Sequence, residues 1–242
     1  MYPILFEIGP FRVYSFGVMA AIGFLFVVLR LRETARREKF DPSQLLDLSL
    51  GLFVSGLIGS RLLFVALNLD WYRVRPLEIF QLQRGGLVAY GGILASLLFG
   101  IFFTRWKRMP FWEVADLLMP LGLLGLAFGR IGCFLNGCCY GKPTSFFLAR
   151  VFWGKQGPVH PTQIYESWGL LLLFIALRVV GRKSLAPGRL FALSIGGYGL
   201  LRFVIEFFRG DQLPWIGGLT LVQAAALATI AAAAWIWYLR KP

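Results

Sequence analysis

The chain has 242 residues, of which 57% are hydrophobic and 15% charged, against about 45–50% and about 25% in ordinary soluble domains. Its apolar residues run in blocks close to the roughly 20 residues that cross a bilayer as a helix, which excludes a soluble globular enzyme. The formal charge of +13 fits cytoplasmic loops and anionic lipid surfaces, which collect Lys and Arg. No basic stripe with interleaved aromatics stands outside the apolar blocks, so nucleic acid is not an expected partner.

In chain order, the apolar blocks predict seven helical spans, near 14–31, 45–67, 87–103, 114–135, 164–180, 190–207 and 219–239. The expected fold is therefore all-α, a polytopic membrane bundle forming one domain over 1–242. Asp41-Pro42, Arg75-Pro76, Met109-Pro110 and Pro187-Gly188 punctuate the gaps. The first residues carry Glu7 and Arg12 where a cleavable signal needs a basic start, so none is expected.

Orientation follows from the loop cations. One set holds Arg30, Arg32, Arg36, Arg37, Lys39, Arg105, Lys107, Arg108, Arg178, Arg182, Lys183, Arg189, Arg240 and Lys241. The other holds Arg12, Arg73, Arg75, Arg84, Lys142, Arg150, Lys155 and Arg209. The larger set belongs to the cytoplasm, which puts the N-terminus outside and the C-terminus inside. The loops at 68–86 and 136–162 then face outward. Trp71, Trp106, Trp112, Trp153 and Trp215 lie near span ends, as an interfacial aromatic belt requires.

Arg61, Arg130 and Arg202 remain inside or at the ends of apolar runs. An arginine at a helix centre costs at least about 2.5–3.5 kcal/mol on insertion scales, so it pairs, snorkels or lines a hydrated cavity. Glu206, Asp116 and Glu166 are the available carboxylates. Four segments hold the polar residues that matter. In Gly129 to Gly141, the small residues Gly129 and Gly132 permit close approach, Arg130 offers a planar fork suited to phosphate, and Asn136-Gly137 ends the helix. In Tyr198 to Arg209, the residues Tyr198, Arg202, Glu206 and Arg209 share one helix face, and Arg202 and Glu206 stand four apart, as an internal salt bridge would have them. In Gly85 to Ile93, four glycines bracket Tyr90, either as a re-entrant turn anchored at the interface or as a pocket with close backbone approach. In His160 to Glu166, Pro161 and Thr162 fit a helix start, and His160 reads first as a residue of that start.

The cysteines, Cys133, Cys138 and Cys139, fall in one short segment and form no disulfide framework. With His160 they could be read as a soft-metal set. Adjacent thiols make an awkward chelate and the spacing is not a zinc pattern, so no metal is expected.

Taken together, these segments resemble the bacterial prolipoprotein diacylglyceryl transferase family. The likeness runs from Ile8-Gly9-Pro10 and Phe16-Gly17-Val18-Met19 through Gly59-Ser60-Arg61, the glycine pairs around Tyr90, Gly129 to Gly141 and His160 to Glu166, to Tyr198 to Arg209, in order and spacing. The resemblance implies seven spans and the orientation that the loop charges reached on their own. It implies transfer of the diacylglyceryl group of phosphatidylglycerol to the lipobox cysteine of a lipoprotein precursor, giving a thioether and glycerol phosphate, in the bacterial inner membrane and without a cofactor. By resemblance Arg130 and Arg202 are the critical arginines, Tyr198, Glu206 and Arg209 support them, and Asn136 and Gly141 are signature positions. Arg61 joins the substrate-binding group, and a monomer is expected.

This chain departs from the family pattern at four positions. Tyr90 stands where many members carry a histidine, Cys133 and Cys138 where Asn and Glu are usual, and Phe16 where Tyr is usual. A neutral tyrosine is a poor base for a thiol, because the free side chains titrate near 10 and 8.5. Tyr90 is therefore expected to donate a hydrogen bond at the reaction centre. Two other readings use the same residues: a divergent relative acting on another acceptor, and a binding or transport protein that holds anionic lipid without chemistry.

Overall fold

The computed structural model describes residues 2–9, 11–38, 40–81, 85–152, 156–183, 185–210 and 214–240. Lys39, Arg84, Trp153, Lys155 and Lys241, which entered the charge and aromatic patterns above, lie outside the described residues. The described chain forms two compact units, Met1–Leu31 with Ala115–Pro242, and Arg32–Val114.

All seven expected spans are helices: α1 (Ser15–Arg37), α2 (Pro42–Leu67), then, after a short α3 (Leu69–Val74), α4 (Ala89–Trp106), α5 (Phe111–Asn136), α6 (Thr162–Val180), α7 (Arg189–Glu206) and α8 (Leu221–Leu239). Six of them are long and apolar enough to cross a membrane by length and composition alone; α7 carries Arg189, Arg202 and Glu206 and falls outside that measure. Large apolar side chains point outward along them, among them Leu98, Leu172, Ile175, Leu200 and Trp235. A lipid-facing bundle exposes such residues without cost. The fold is an all-α polytopic membrane bundle.

Short hairpins finish it: β1 (Ile4–Ile8) with β2 (Phe11–Tyr14), β3 (Arg150–Val151) with β4 (Pro158–Val159), and β5 (Pro214–Ile216) with β6 (Leu219–Thr220). Ser15, fully buried, ties the first hairpin to α1, donating from its backbone N–H to the Pro3 carbonyl at 3.0 Å. The segment 68–86, expected as loop, holds α3 and a 3-10 turn, Pro76–Phe80. Asp70 in the first turn of α3 pairs with Arg73 three residues on, at 3.5 Å, and Pro76 starts the next turn.

In the Arg32–Val114 unit, α2 and α4 meet through glycine. A Cβ on Gly59 would strike Ala95 and the Gly91 carbonyl, and one on Gly91 would strike the Gly59 carbonyl and Leu63. Gly91 and Gly92 after Tyr90 thus serve helix contact, as small residues do in membranes, while Gly85 and Gly86 before it are left-handed, both at φ 78°, in the turn that leads into α4. Gly91→Val is expected to lower stability by about 1–3 kcal/mol, since the obstruction is backbone. Gly122→Ala in α5, whose Cβ would meet nothing within 4 Å, is expected to be neutral or stabilising by up to about 1 kcal/mol. Thermal unfolding in detergent compares the two.

In the other unit, Leu123, Ala127, Leu170 and Leu177 form a buried cluster joining α5 to α6, with Tyr198 and Leu201 of α7 packed against it. Buried Ser167 donates to the Ala127 carbonyl at 3.0 Å, fixing α6 on α5. Asp116 accepts from the N–H groups of Gly188 and Phe191, and so holds the start of α7. Gly199 packs against Ile230 and the Ala226 carbonyl, which brings α8 onto α7. These contacts set the crossing at which the charged residues meet.

Candidate active site

The arginines of α5 and α7 converge on one carboxylate. Arg130 Nη2 lies 3.0 Å from Glu166 Oε1, and Arg202 Nη1 donates to Glu166 Oε2 at 3.0 Å. Arg202 Nη2 donates on to Glu206 Oε2 at 3.3 Å, the salt bridge that the four-residue spacing predicts. Glu206 Oε1 accepts from Thr220 Oγ1 at 3.0 Å. The same Thr220 oxygen accepts from the Gln223 backbone N–H, and Gln223 in turn accepts from the Thr220 N–H, a capping box that starts α8. The result is an alternating row of positive and negative groups drawn from α5, α6 and α7, ending on Thr220, the N-cap of α8.

Burial gives this row its meaning. Glu166 is 1% and Glu206 3% exposed. A lone buried carboxylate or guanidinium is strongly penalised, and each here has an opposite charge in contact. The guanidiniums keep donors beyond those the carboxylates take. Among the described residues, Arg130 Nε is buried without a hydrogen-bond partner, a condition that costs about 1–3 kcal/mol unless an acceptor is supplied. A Cβ on Gly129 would meet nothing within 4 Å, whereas Gly132 packs on Phe16 and Met19 at the start of α1. Tyr198 reaches Arg130 from α7 with its side chain.

Beside this row, the loop after α5 is braced from α6. The helix ends in a Schellman turn: Gly137 is left-handed at φ 77°, its N–H bonds the Phe134 carbonyl at 3.1 Å, and the Cys138 N–H bonds the Cys133 carbonyl at 3.1 Å. Asn136 is the exposed last residue of that helix. Thr162 Oγ1 donates to the Cys139 carbonyl at 2.8 Å, and Gln163 Nε2 donates to that of Cys138. Gly141 sits where three segments cross. Its N–H bonds the His160 carbonyl at 2.8 Å, it bridges to Arg209, and a Cβ would strike the Phe208 carbonyl, His160 and Thr162. His160 Nδ1 lies 3.2 Å from the Tyr165 hydroxyl, and its ring packs against Phe208. Burial holds the His160 pKa below its usual value, so it stays neutral at physiological pH.

Arg61 and Tyr90 belong to the other unit. Every nitrogen of the Arg61 guanidinium donates to backbone: Nε to the Ile79 carbonyl at 2.8 Å, Nη1 to those of Gly85 and Gly86 at 2.7 and 3.0 Å, and Nη2 to those of Glu78 and Gln81 at 2.6 and 3.5 Å. Its group lies 5.7 and 5.5 Å from the ring centroids of Phe64 and Tyr72. Arg61 therefore gathers the turn before α4 around itself, at the edge of a cavity of about 380 Å³ that Asn68 and Trp71 also line. Tyr90, 49% exposed, stands in the first turn of α4.

Of the residues expected in the site, the structure thus groups Arg130, Tyr198, Arg202 and Glu206, sets Gly141 and Arg209 together at the braced loop, and leaves Asn136 at the helix end. Glu166, expected only as a pairing carboxylate, is the centre of the group. The signal for it was a carboxylate just inside an apolar helix.

The fold and this charge row define a polytopic helical membrane protein with two arginines held on one buried carboxylate. Comparison with known proteins narrows this. The family model described as prolipoprotein diacylglyceryl transferase matches residues 3–239. Proteins named phosphatidylglycerol--prolipoprotein diacylglyceryl transferase are similar throughout. One from Clostridium tetani is 33% identical over 95% of this chain and 94% of its own length. Those from Geobacter sulfurreducens and Bordetella parapertussis are 35% and 37% identical, each over 86% of this chain and 82% of their own. The chain belongs to the prolipoprotein diacylglyceryl transferase family.

Proposed function

We propose that this protein transfers the diacylglyceryl group of phosphatidylglycerol to the lipobox cysteine of a prolipoprotein, with the whole chain acting as one transferase domain and as a monomer. The observation that carries the proposal is the pair Arg130 and Arg202 sharing Glu166, with Arg130 Nε buried and, among the described residues, unpartnered. Family membership supplies the reaction class. The thiol sulfur attacks the glyceryl carbon, a C–S bond forms, and the C–O bond to phosphate breaks. The electron pair leaves with the phosphate oxygen, and the thiol proton passes to the departing phosphate or to water. No acyl oxyanion forms, so the chief demand is for charge on the leaving phosphate. A planar donor fork meets it. Glu166 and Glu206 fix the orientation of the two forks in advance, and Tyr198 supports Arg130.

The loop charges support a bacterial inner-membrane setting in which the braced loop faces the exterior side. Asn136, Gly141 and Arg209 belong to that loop region and are proposed to shape the substrate path. Arg61 contributes by ordering the turn that leads into Tyr90. Complementation of a cell depleted of its own transferase tests the function directly. Purified protein given phosphatidylglycerol and a lipobox peptide is expected to release glycerol phosphate; a protein that binds the lipid and releases none would be a binder.

Tyr90 is proposed to donate a hydrogen bond to the phosphate or headgroup. Tyr90→Phe removes one such bond, about 0.5–1.5 kcal/mol, and is expected to slow transfer about two- to tenfold. A loss as deep as that of an arginine variant would mean that the phenol takes part in proton transfer.

A further inference from the structure

Spacing along the chain argues against a chelate at Cys133, Cys138 and Cys139, yet the fold brings all three together. Their Sγ atoms lie within 4.8 Å of one another. The turn at the end of α5 does this. The bond from the Cys138 N–H to the Cys133 carbonyl folds the chain back over the helix end, and Cys139, at φ 63°, takes a left-handed conformation that non-glycine residues rarely adopt. The carbonyls of Cys138 and Cys139 are held by Gln163 and Thr162, each 1% exposed. The loop carrying two of the sulfurs is therefore fixed from outside, as metal ligands are by their supporting hydrogen bonds. Cys138 and Cys139 line a cavity of about 470 Å³ with Gly137, Tyr140, Gly141 and Lys142, which gives an ion a path in.

We infer that these thiolates form a three-coordinate site for a soft monovalent cation, copper(I). Sulfur-only ligand sets select copper(I) or zinc among common metals. A structural zinc site asks for four protein ligands; among the described residues the cluster has no fourth His, Cys, Asp or Glu, so zinc would need water in its fourth position, whereas copper(I) is complete with three thiolates. Metal–sulfur bonds of about 2.3 Å put the sulfurs of a trigonal site about 4.0 Å apart, so the cluster closes by less than about an ångström. Copper(I) with three thiolates is anionic. Arg130 and Arg209 both lie close enough to Cys139 to act on it electrostatically, and their charge offsets that of the complex. Binding releases the thiol protons to solvent, with no change in oxidation state.

The test is titration of the reduced, full-length protein in detergent with copper(I) alone, in competition with a copper(I)-selective chelator. One equivalent is expected, with a sulfur-to-copper charge-transfer band in the ultraviolet. Each of Cys133→Ser, Cys138→Ser and Cys139→Ser is expected to weaken binding at least tenfold, and the triple variant to abolish it. Zinc(II) alone is expected to bind more weakly. Should the triple variant fail to fold, by its helical circular dichroism, the wild-type protein alkylated at its thiols serves instead and is expected to take up no copper. Stoichiometric binding that survives loss or alkylation of the thiols overturns the inference. So does failure of the wild-type protein to draw copper from the competitor, or recovery of a stable disulfide from cells grown with copper.

Discussion

Arg202→Ala and Arg130→Ala are each expected to lower transfer by on the order of 10²–10³-fold, the loss seen when a preorganised donor to a developing oxyanion is removed. The two should differ in how they fail. Arg202 bridges Glu166 and Glu206, both nearly inaccessible to solvent. Among the described residues, its loss leaves Glu206 with Thr220 and Glu166 with Arg130. Among the described residues Arg130 touches one carboxylate, Glu166, so Arg130→Ala should disturb the fold less for a similar loss of rate. Arg202→Lys keeps the charge but cannot fork between two carboxylates, and is expected to recover little activity. Release of glycerol phosphate from phosphatidylglycerol, with membrane insertion checked in parallel, decides the matter. Full activity in both alanine variants would remove the proposed role of the arginines at the headgroup.

The helices were legible because lipid imposes a length and a composition, and the buried arginines because charge stands out in an apolar run. The bridge from Arg202 to Glu206 was legible for a local reason: four residues on a helix make one turn and a little more. What was not legible depends on distant chain segments. Nothing local says that Glu166 stands between Arg130 and Arg202, since that needs α5, α6 and α7 to cross at Ala127, Leu170 and Tyr198. Arg61 read as a group for substrate, and nothing local foretold that its guanidinium meets backbone carbonyls 17 to 25 residues away. Asp116 read as a partner for arginine, and its carboxylate holds the first N–H groups of α7. The glycines around Tyr90 read as a turn or a pocket; Gly85 and Gly86 do turn the chain, both at φ 78°, while Gly91 is the surface on which α2 and α4 touch. The cysteines were visible as a candidate soft-metal set, which their spacing argues against; the turn that ends α5 nonetheless brings their sulfurs within 4.8 Å of one another.

Glu166→Ala is expected to be the most damaging single change in stability. It removes the anion between two guanidiniums whose side chains are 18% and 13% exposed, and breaking a buried pair from one side typically costs about 3–5 kcal/mol, because the surviving charge keeps its desolvation penalty without its partner. Two arginines then repel across the gap. The expected readout is a large fall in the unfolding temperature in detergent together with loss of transfer. Glu166→Gln separates orientation from charge. Its amide oxygen can still accept from one guanidinium, so stability should fall less, while the local field becomes more positive. An anionic headgroup should then bind as well as in the parent or better, and kcat should fall because one arginine is no longer aimed. A KM for phosphatidylglycerol that rises sharply in Glu166→Gln would mean that the carboxylate contacts the lipid itself. If Glu166→Ala unfolds at the parent temperature, the arginines find their compensation elsewhere, and the picture of two forks held on one anion fails with it.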